Sequence, residues 1–228
     1  IKKYIINGTI FINDMLSKGK NILAEGAQGT FLDIDFGTYP YVTASNPISG
    51  GSCTGLGISP TKIDKVIGIV KAYTTRVGKG PFPTEMKGLL EDTLRRSGNE
   101  YGATTGRPRR CGWFDSVIVR FASVVNGLDE IFITKLDVLS GIEKLKIGVA
   151  YKYDGKIYNE YPMNMKVFSN SEVIYEEMDG WSESISDIKE YSKLPTNTKK
   201  YIERIQELIE VKISAISVGS EREQIIKI

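Results

Sequence analysis

The sequence predicts an α/β fold, a mostly parallel central sheet flanked by helices, and three observations carry that prediction. Short apolar runs at 66–73, 131–134 and 211–216 have the length and composition of buried strands. Amphipathic stretches bearing hydroxyl, carboxylate or glycine caps, at 1–18, 89–96, 115–127 and 196–209, alternate with them. The loops that leave the strand ends are polar, glycine-rich or charged, and ligands sit at such carboxyl ends in α/β sheets. The 228 residues suffice for a substantial core, with no internal repeat and no obvious domain break.

Taken in order, the apolar positions Ile1, Tyr4, Ile5, Phe11, Met15 and Leu16 predict a helix stopped by Gly19. Residues 21–25 read as a short strand breaking into the glycine loop Gly26-Ala27-Gln28-Gly29-Thr30. An irregular Tyr- and Pro-containing segment follows at 38–43, and residues 50–57, with four glycines, read as a loop that is mobile or closely packed on a ligand. A buried strand at 66–73 leads through a second loop, 78–85, to a short helix at 89–96. Asp115 is placed to cap a helix ended by Asn126-Gly127, and the strand at 131–134 emits Lys135-Leu136-Asp137. Asp154-Gly155 between two alternating runs signals a hairpin, the start of a small subdomain over 146–192. Residues 172–191 are polar and read as surface, and an amphipathic helix at 196–209 feeds a last strand and the loop Ser217-Val218-Gly219.

Composition excludes several classes. With 25% charged and 41% hydrophobic residues the chain is ordinary and globular, and a net charge of +2 argues against a broad nucleic-acid footprint. Two cysteines, Cys53 and Cys111, are too few for a disulfide scaffold, so a reducing, cytoplasmic setting is expected. No apolar run approaches membrane-spanning length. Histidine, the commonest acid/base catalyst, is absent, and the missing initiator Met suggests a fragment or processed product.

Anion binding points to the run Tyr101-Gly102-Ala103-Thr104-Thr105-Gly106-Arg107-Pro108-Arg109-Arg110. Glycines permit close backbone approach, threonines offer hydroxyls, and the forked donors of Arg107 and Arg109 fit carboxylate or phosphate oxygens two at a time. A solvated basic turn would look alike. After the strand at 131–134, a fixed Asp137 carboxylate can accept from the N1–H and exocyclic amine of guanine, which adenine cannot offer, while the Lys135 stem covers the ring. Ser217, Val218 and Gly219 could present backbone amides to a base carbonyl, or be an ordinary small-residue turn. Gln28 could orient a reacting group or simply tie down its turn. Asp33 and Asp35 are assigned no metal, Cys111 reads as a small buried residue, and no Gly-x-x-x-x-Gly-Lys-Ser/Thr loop occurs.

The strings at 24–30, 33–43, 75–78, 80–85, 102–109 and 134–137 together resemble the adenylosuccinate synthetase family, in the family's order. The resemblance implies a P-loop GTPase-like fold, incomplete here, and a GTP-dependent carbon–nitrogen ligase of purine nucleotide biosynthesis. In it IMP, L-aspartate and GTP become adenylosuccinate, GDP and phosphate, with Mg2+, in a cytoplasmic homodimer without nucleic-acid or membrane partners. Carried over residue by residue, Gln28, Thr43 and Arg107 match positions that contact IMP, and Val77 lines that pocket. Ala103, Thr104, Thr105, Gly106 and Arg107 match the loop that takes aspartate, with Arg109 toward GTP. Lys135, Leu136, Asp137, Ser217, Val218 and Gly219 match the guanine-binding elements, although Ser220 stands where the family has proline. The family's phosphate loop, catalytic Asp and His, and Mg2+ ligands have no counterpart here. The chain therefore resembles the C-terminal portion of one such domain and is expected to be inactive alone. The alternative is a non-catalytic module that binds guanine or other purine nucleotides.

Overall fold

The computed structural model describes residues 1–102, 104 and 106–228. The chain packs as two compact units, residues 1–66 with 125–127, and residues 67–124 with 128–228.

In the first unit, helix α1 (Gly8–Ser17) starts where the Asn7 side chain accepts the Ile10 N–H, and it stops before Gly19 at φ 68°. The glycine-rich stretch expected as a loop is instead a short helix, α2 (Gly51–Leu56). Ser52 Oγ bonds the Ser49 carbonyl at 2.6 Å in its first turn, and Gly57, at φ 67°, takes the left-handed position that closes it. Asn13 of α1 donates to the Gly57 carbonyl at 2.9 Å. The strand expected at 21–25 does not form: residues 21–29 are exposed apart from half-buried Ile22, and no strand among the described residues pairs with them. An isolated apolar run without a partner cannot satisfy its backbone as a strand.

The irregular segment that follows is organised by Asp33, which is fully buried. Its Oδ1 accepts from the Asp35 N–H at 2.9 Å, the Phe36 N–H at 3.1 Å and the Asn46 amide at 3.3 Å. The Asp33 carboxylate is thus occupied in holding a turn.

Among the described residues the second unit carries three sheets. In the first, β1 (Ile67–Lys71), β5 (Glu130–Thr134) and β9 (Ile213–Ser217) run parallel, and β10 (Ile225–Lys227) adds antiparallel to β9 at one edge. The second pairs β2 (Thr74–Arg76) with β3 (Arg110–Gly112). In the third, β4 (Phe114–Asp115) runs parallel to the long β6 (Lys144–Tyr153), which also holds β7 (Lys156–Tyr158) and β8 (Glu172–Asp179) antiparallel. The expected α/β class is the one observed, with mixed sheets whose first sheet is mostly parallel.

Helices α3 (Leu89–Ser97), α4 (Ser116–Asn126), α5 (Met165–Asn170) and α6 (Thr196–Ile209) complete the second unit, apart from the last two residues of α4, which belong to the first. Asp115 caps α4 as expected, accepting the Ile118 N–H at 3.3 Å. Tyr201, Ile202, Ile205 and Ile209 of α6 are buried in one core with Ile131, Ile133 and Ile213 of the parallel strands. Asp154 and Gly155, both at positive φ, make the predicted hairpin turn between β6 and β7.

Residues 172–191 correct the expectation of a polar surface stretch. Eight of them form β8 along β6, and Trp181 and Ile185 beyond it are core residues. The polarity is ion pairing: across the strands Lys144 meets Asp179 at 2.6 Å and Lys146 meets Glu177 at 3.9 Å, and from helix α6 Arg204 reaches Glu176 at 2.8 Å.

Candidate functional site

The carboxyl ends of the three parallel strands converge on one ionic cluster. Strand β5 ends in Thr134, and Lys135 follows with a left-handed backbone, φ 61°, that turns the chain sharply into a 3-10 segment, Leu136–Leu139. The turn is pinned to the neighbouring strand end, because the Lys135 N–H donates to Ser217 Oγ at 3.1 Å. Leu136 is fully buried and anchors the turn in the core. Asp137 then presents its carboxyl group in a half-buried position. Asp137 Oδ1 is shielded from solvent yet has no hydrogen-bond partner within the protein. Burial pushes the Asp137 carboxyl above its ordinary pKa, against the opposing effect of its own backbone N–H and the Lys135 charge. A buried acceptor left unpaired costs roughly 1–3 kcal/mol, and a ligand bearing N–H donors would satisfy it.

Beside this turn lies Glu100, fully buried where α3 gives way to the arginine loop. Lys71, the last residue of β1, donates to both carboxylate oxygens at 2.8 Å, and Tyr73 donates its hydroxyl to Oε1 at 2.7 Å. Arg109 donates to Oε2 at 2.8 Å, and the Lys135 ammonium is 3.5 Å from Oε1 while bonded to the Gly98 carbonyl. Burial alone would raise the Glu100 pKa. The hydrogen bonds from Lys71 and Tyr73, the Lys71 charge and the Arg109 hydrogen bond outweigh it and hold the group down at about 2, against an ordinary 4.5. Lys71 is lowered by burial, partly restored by Glu100.

The loop that follows has a defined neck. The Arg109 N–H donates to the Glu100 carbonyl at 2.9 Å, Tyr101 bridges Pro108, and the Gly102 N–H donates to the Arg107 carbonyl at 2.8 Å. Gly106 turns with φ 63°, a conformation that suits glycine, and its N–H returns to the Gly102 carbonyl at 2.8 Å. Thr104, Gly106 and Arg107 are exposed at the tip, whereas Ala103 and Thr105 lie outside the described residues. Arg110 points away from this cluster, into a fork on Glu85 at 2.5 and 2.6 Å with the Phe82 ring beneath it.

The structure therefore brings Arg109, Lys135, Leu136, Asp137 and Ser217 together. Val218 is buried and its N–H already donates to the Gln224 carbonyl at 2.9 Å, and the Gln224 side chain packs on Gly219. Val77 is exposed just after β2. In the first unit, Gln28 is exposed with a left-handed backbone, φ 52°, and Thr43 is half-buried, its N–H bonded to the Leu32 carbonyl at 2.7 Å and its hydroxyl 3.3 Å from Ser45 Oγ. Sequence reasoning passed over Glu100, Lys71 and Tyr73. The available signal was a lone Glu at the foot of a basic loop and a Lys closing an apolar strand. Among the described residues no three His, Cys, Asp or Glu side chains form a group suited to a metal ion, and no helix is long and apolar enough to cross a membrane.

The family model of adenylosuccinate synthetase matches residues 1–226. Curated adenylosuccinate synthetases from Thermodesulfovibrio yellowstonii and Caldanaerobacter subterraneus are 57% and 55% identical over 226 residues, covering 99% of this chain and 53% of each relative. The solved structure of a fully ligated adenylosuccinate synthetase from Plasmodium falciparum superposes with a TM-score of 0.96 at 43% identity, covering 99% of this chain and 54% of that one. The chain thus spans about half the length of the relatives it matches. A match of this breadth makes the chain a member of the adenylosuccinate synthetase family.

Proposed function

We propose that this chain provides the guanine-recognition and arginine-loop portion of a GTP-dependent ligase that joins L-aspartate to IMP. The carrying observation is the buried, unpartnered Asp137 Oδ1 at the carboxyl end of β5, beside Lys135. A guanine ring offers two adjacent N–H donors to such a carboxylate, whereas the same edge of adenine would leave it unpaired. Arg109, held at the foot of its loop by Glu100, is the group proposed to face the phosphates, and Arg107 with Thr104 the groups for the dicarboxylate substrate. Gln28, Thr43 and Val77 are proposed contacts of IMP, and Ser217, Val218 and Gly219 border the base. Ser217 acts through Lys135, whose N–H it holds.

These groups bind and orient. Mg2+ belongs to the proposed reaction, but the carboxylates of the described residues do not gather into a site for it. The chain has no histidine, and Glu100 is fully hydrogen-bonded. The isolated chain is accordingly proposed to bind nucleotide without turnover, in keeping with its coverage of half of its relatives. Cytoplasmic, homodimeric operation is part of the same reading.

Titration of the chain with fluorescent GDP and ADP tests the base site. GDP is expected to bind at least tenfold more tightly, and Asp137→Asn, which places an amide donor against the guanine N–H groups, should erase that preference. Equal affinity of the wild-type chain for both nucleotides would end the guanine reading.

A further inference from the structure

We propose that Glu100 is a positioning residue that locks the arginine loop and the guanine turn into one geometry, so that neither site is set independently of the other. The inference rests on the proposed nucleotide and dicarboxylate sites and adds a residue that neither of them contains. Its basis is that one residue makes both connections. Through its backbone carbonyl, Glu100 receives the Arg109 N–H at 2.9 Å and closes the neck of the loop. Through its carboxylate it holds the Arg109 guanidinium at 2.8 Å, Lys71 at the end of β1 at 2.8 Å, and the Lys135 ammonium at 3.5 Å.

The burial is graded in the way positioning requires. Glu100 has no exposed side-chain surface, while the side chains of Lys71, Arg109 and Lys135 retain 25%, 29% and 34%. The carboxylate is thus out of reach of a ligand, and each cation is tethered to it while keeping part of its side chain exposed, Lys71 being held further by Thr75 Oγ1 at 2.8 Å. Tyr73 completes the carboxylate's shell from the core side, at 2.7 Å. A guanidinium with five donors can spend one on Glu100 and keep others for an anion. The Lys135 ammonium is fixed by Gly98 and Glu100, which sets the path of its stem beside Asp137.

Two readouts on Glu100→Gln test this. The first needs no ligand: a brief pulse of acetic anhydride followed by peptide mass spectrometry reports the reactivity of each lysine. Loss of the carboxylate should raise acetylation of Lys71 and Lys135 severalfold through release of both ammonium groups, helped at Lys71 by loss of the charge that opposes its burial, while exposed Lys152 stays unchanged as reference. The second is nucleotide binding, in which GDP affinity should fall about tenfold, the equivalent of one charge-assisted hydrogen bond, while ADP affinity, which makes no use of the turn, changes less.

If Lys135 and Lys71 label at the wild-type rate in a folded Glu100→Gln chain, the proposal is wrong. If wild-type chain shows no guanine preference but the lysines are released by Glu100→Gln, the site reading fails and the positioning role stands. Should Glu100→Gln not fold, the pair Glu100→Gln with Lys71→Met restores the charge balance. Lys135 labelling must then exceed that of Lys71→Met alone, and equality would overturn the proposal.

Discussion

Two carboxylates, Glu100 and Asp115, are equally hidden from solvent, at 0% and 1% exposure, and each accepts a tyrosine hydroxyl at 2.7 Å, from Tyr73 and Tyr151. Their chemistry diverges. Glu100 has three cations around it and is held at about 2. Asp115 has none in contact among the described residues; burial pushes it up to about 6, against the Tyr151 hydroxyl and the Ile118 and Val117 N–H groups at the start of α4. Burial raises a carboxyl pKa, and the charged donors around the group decide whether it ends as an anchor for cations or as a helix cap near neutrality. The first arrangement sits at the strand ends with open cations, and the second is enclosed between β4 and β6.

The largest difference between the two sites should come from neutralising their carboxylates. Glu100→Gln strands three cations and is expected to cost about 3 kcal/mol at pH 7, the scale for breaking a buried ion pair. Asp115→Asn keeps an acceptor for the Ile118 N–H and relieves a disfavoured charge, so it should cost less than about 1 kcal/mol or stabilise. Urea unfolding of both variants measures this, and equal losses would mean that burial, not charge, governs both sites.

Stability against pH separates the pair next. The folded pKa of Glu100 is depressed, so its contribution is complete above the ordinary 4.5 and is lost as pH falls toward 2. Asp115 behaves oppositely: its folded pKa is raised, the folded chain binds the extra proton between 3.8 and 6, and its contribution fades as pH rises through that window. In Glu100→Gln the acid limb between 4.5 and 2 should flatten, whereas in Asp115→Asn the decline between 3.8 and 6 should disappear. Unfolding free energies at pH 6.5, 5 and 3 test both.

The smallest difference between the sites concerns the tyrosines. Tyr73→Phe removes one of several donors to Glu100 and should cost about 0.5 kcal/mol, whereas Tyr151→Phe leaves Asp115 only backbone donors and should cost about 1–2 kcal/mol. Thermal melts that ranked them the other way would contradict the comparison.

How far the sequence reveals the molecule depends on the range of the contacts involved. Local signals read well: the Asp115 cap, the Asp154-Gly155 turn and the apolar stripe of α6 were all legible because propensity and periodicity act within a few residues. Strand β8 was obscured because its glutamates find lysine and arginine partners on β6 and α6. Helix α2 was hidden by glycines that ordinarily oppose helix, and the apolar run at 21–25 lacks the neighbour that would make it a strand. The same holds for the site. Lys135 and Asp137 follow a strand and could be singled out, but Glu100 acquires its meaning from Lys71, 29 positions earlier, and from Lys135, and nothing local marks that meeting.

The uneven cation count at Glu100 has a kinetic consequence. Three ammonium or guanidinium groups around one carboxylate leave an excess of positive charge on a partly open surface, which Asp137 beside Lys135 offsets only in part. Such a field speeds the arrival of a polyphosphate and is screened over a Debye length of about 8 Å at physiological salt. Raising the salt should therefore slow nucleotide association while leaving intact the proposed preference for guanine, which would depend on hydrogen bonds to Asp137. Capture and discrimination would then be separable by ionic strength alone.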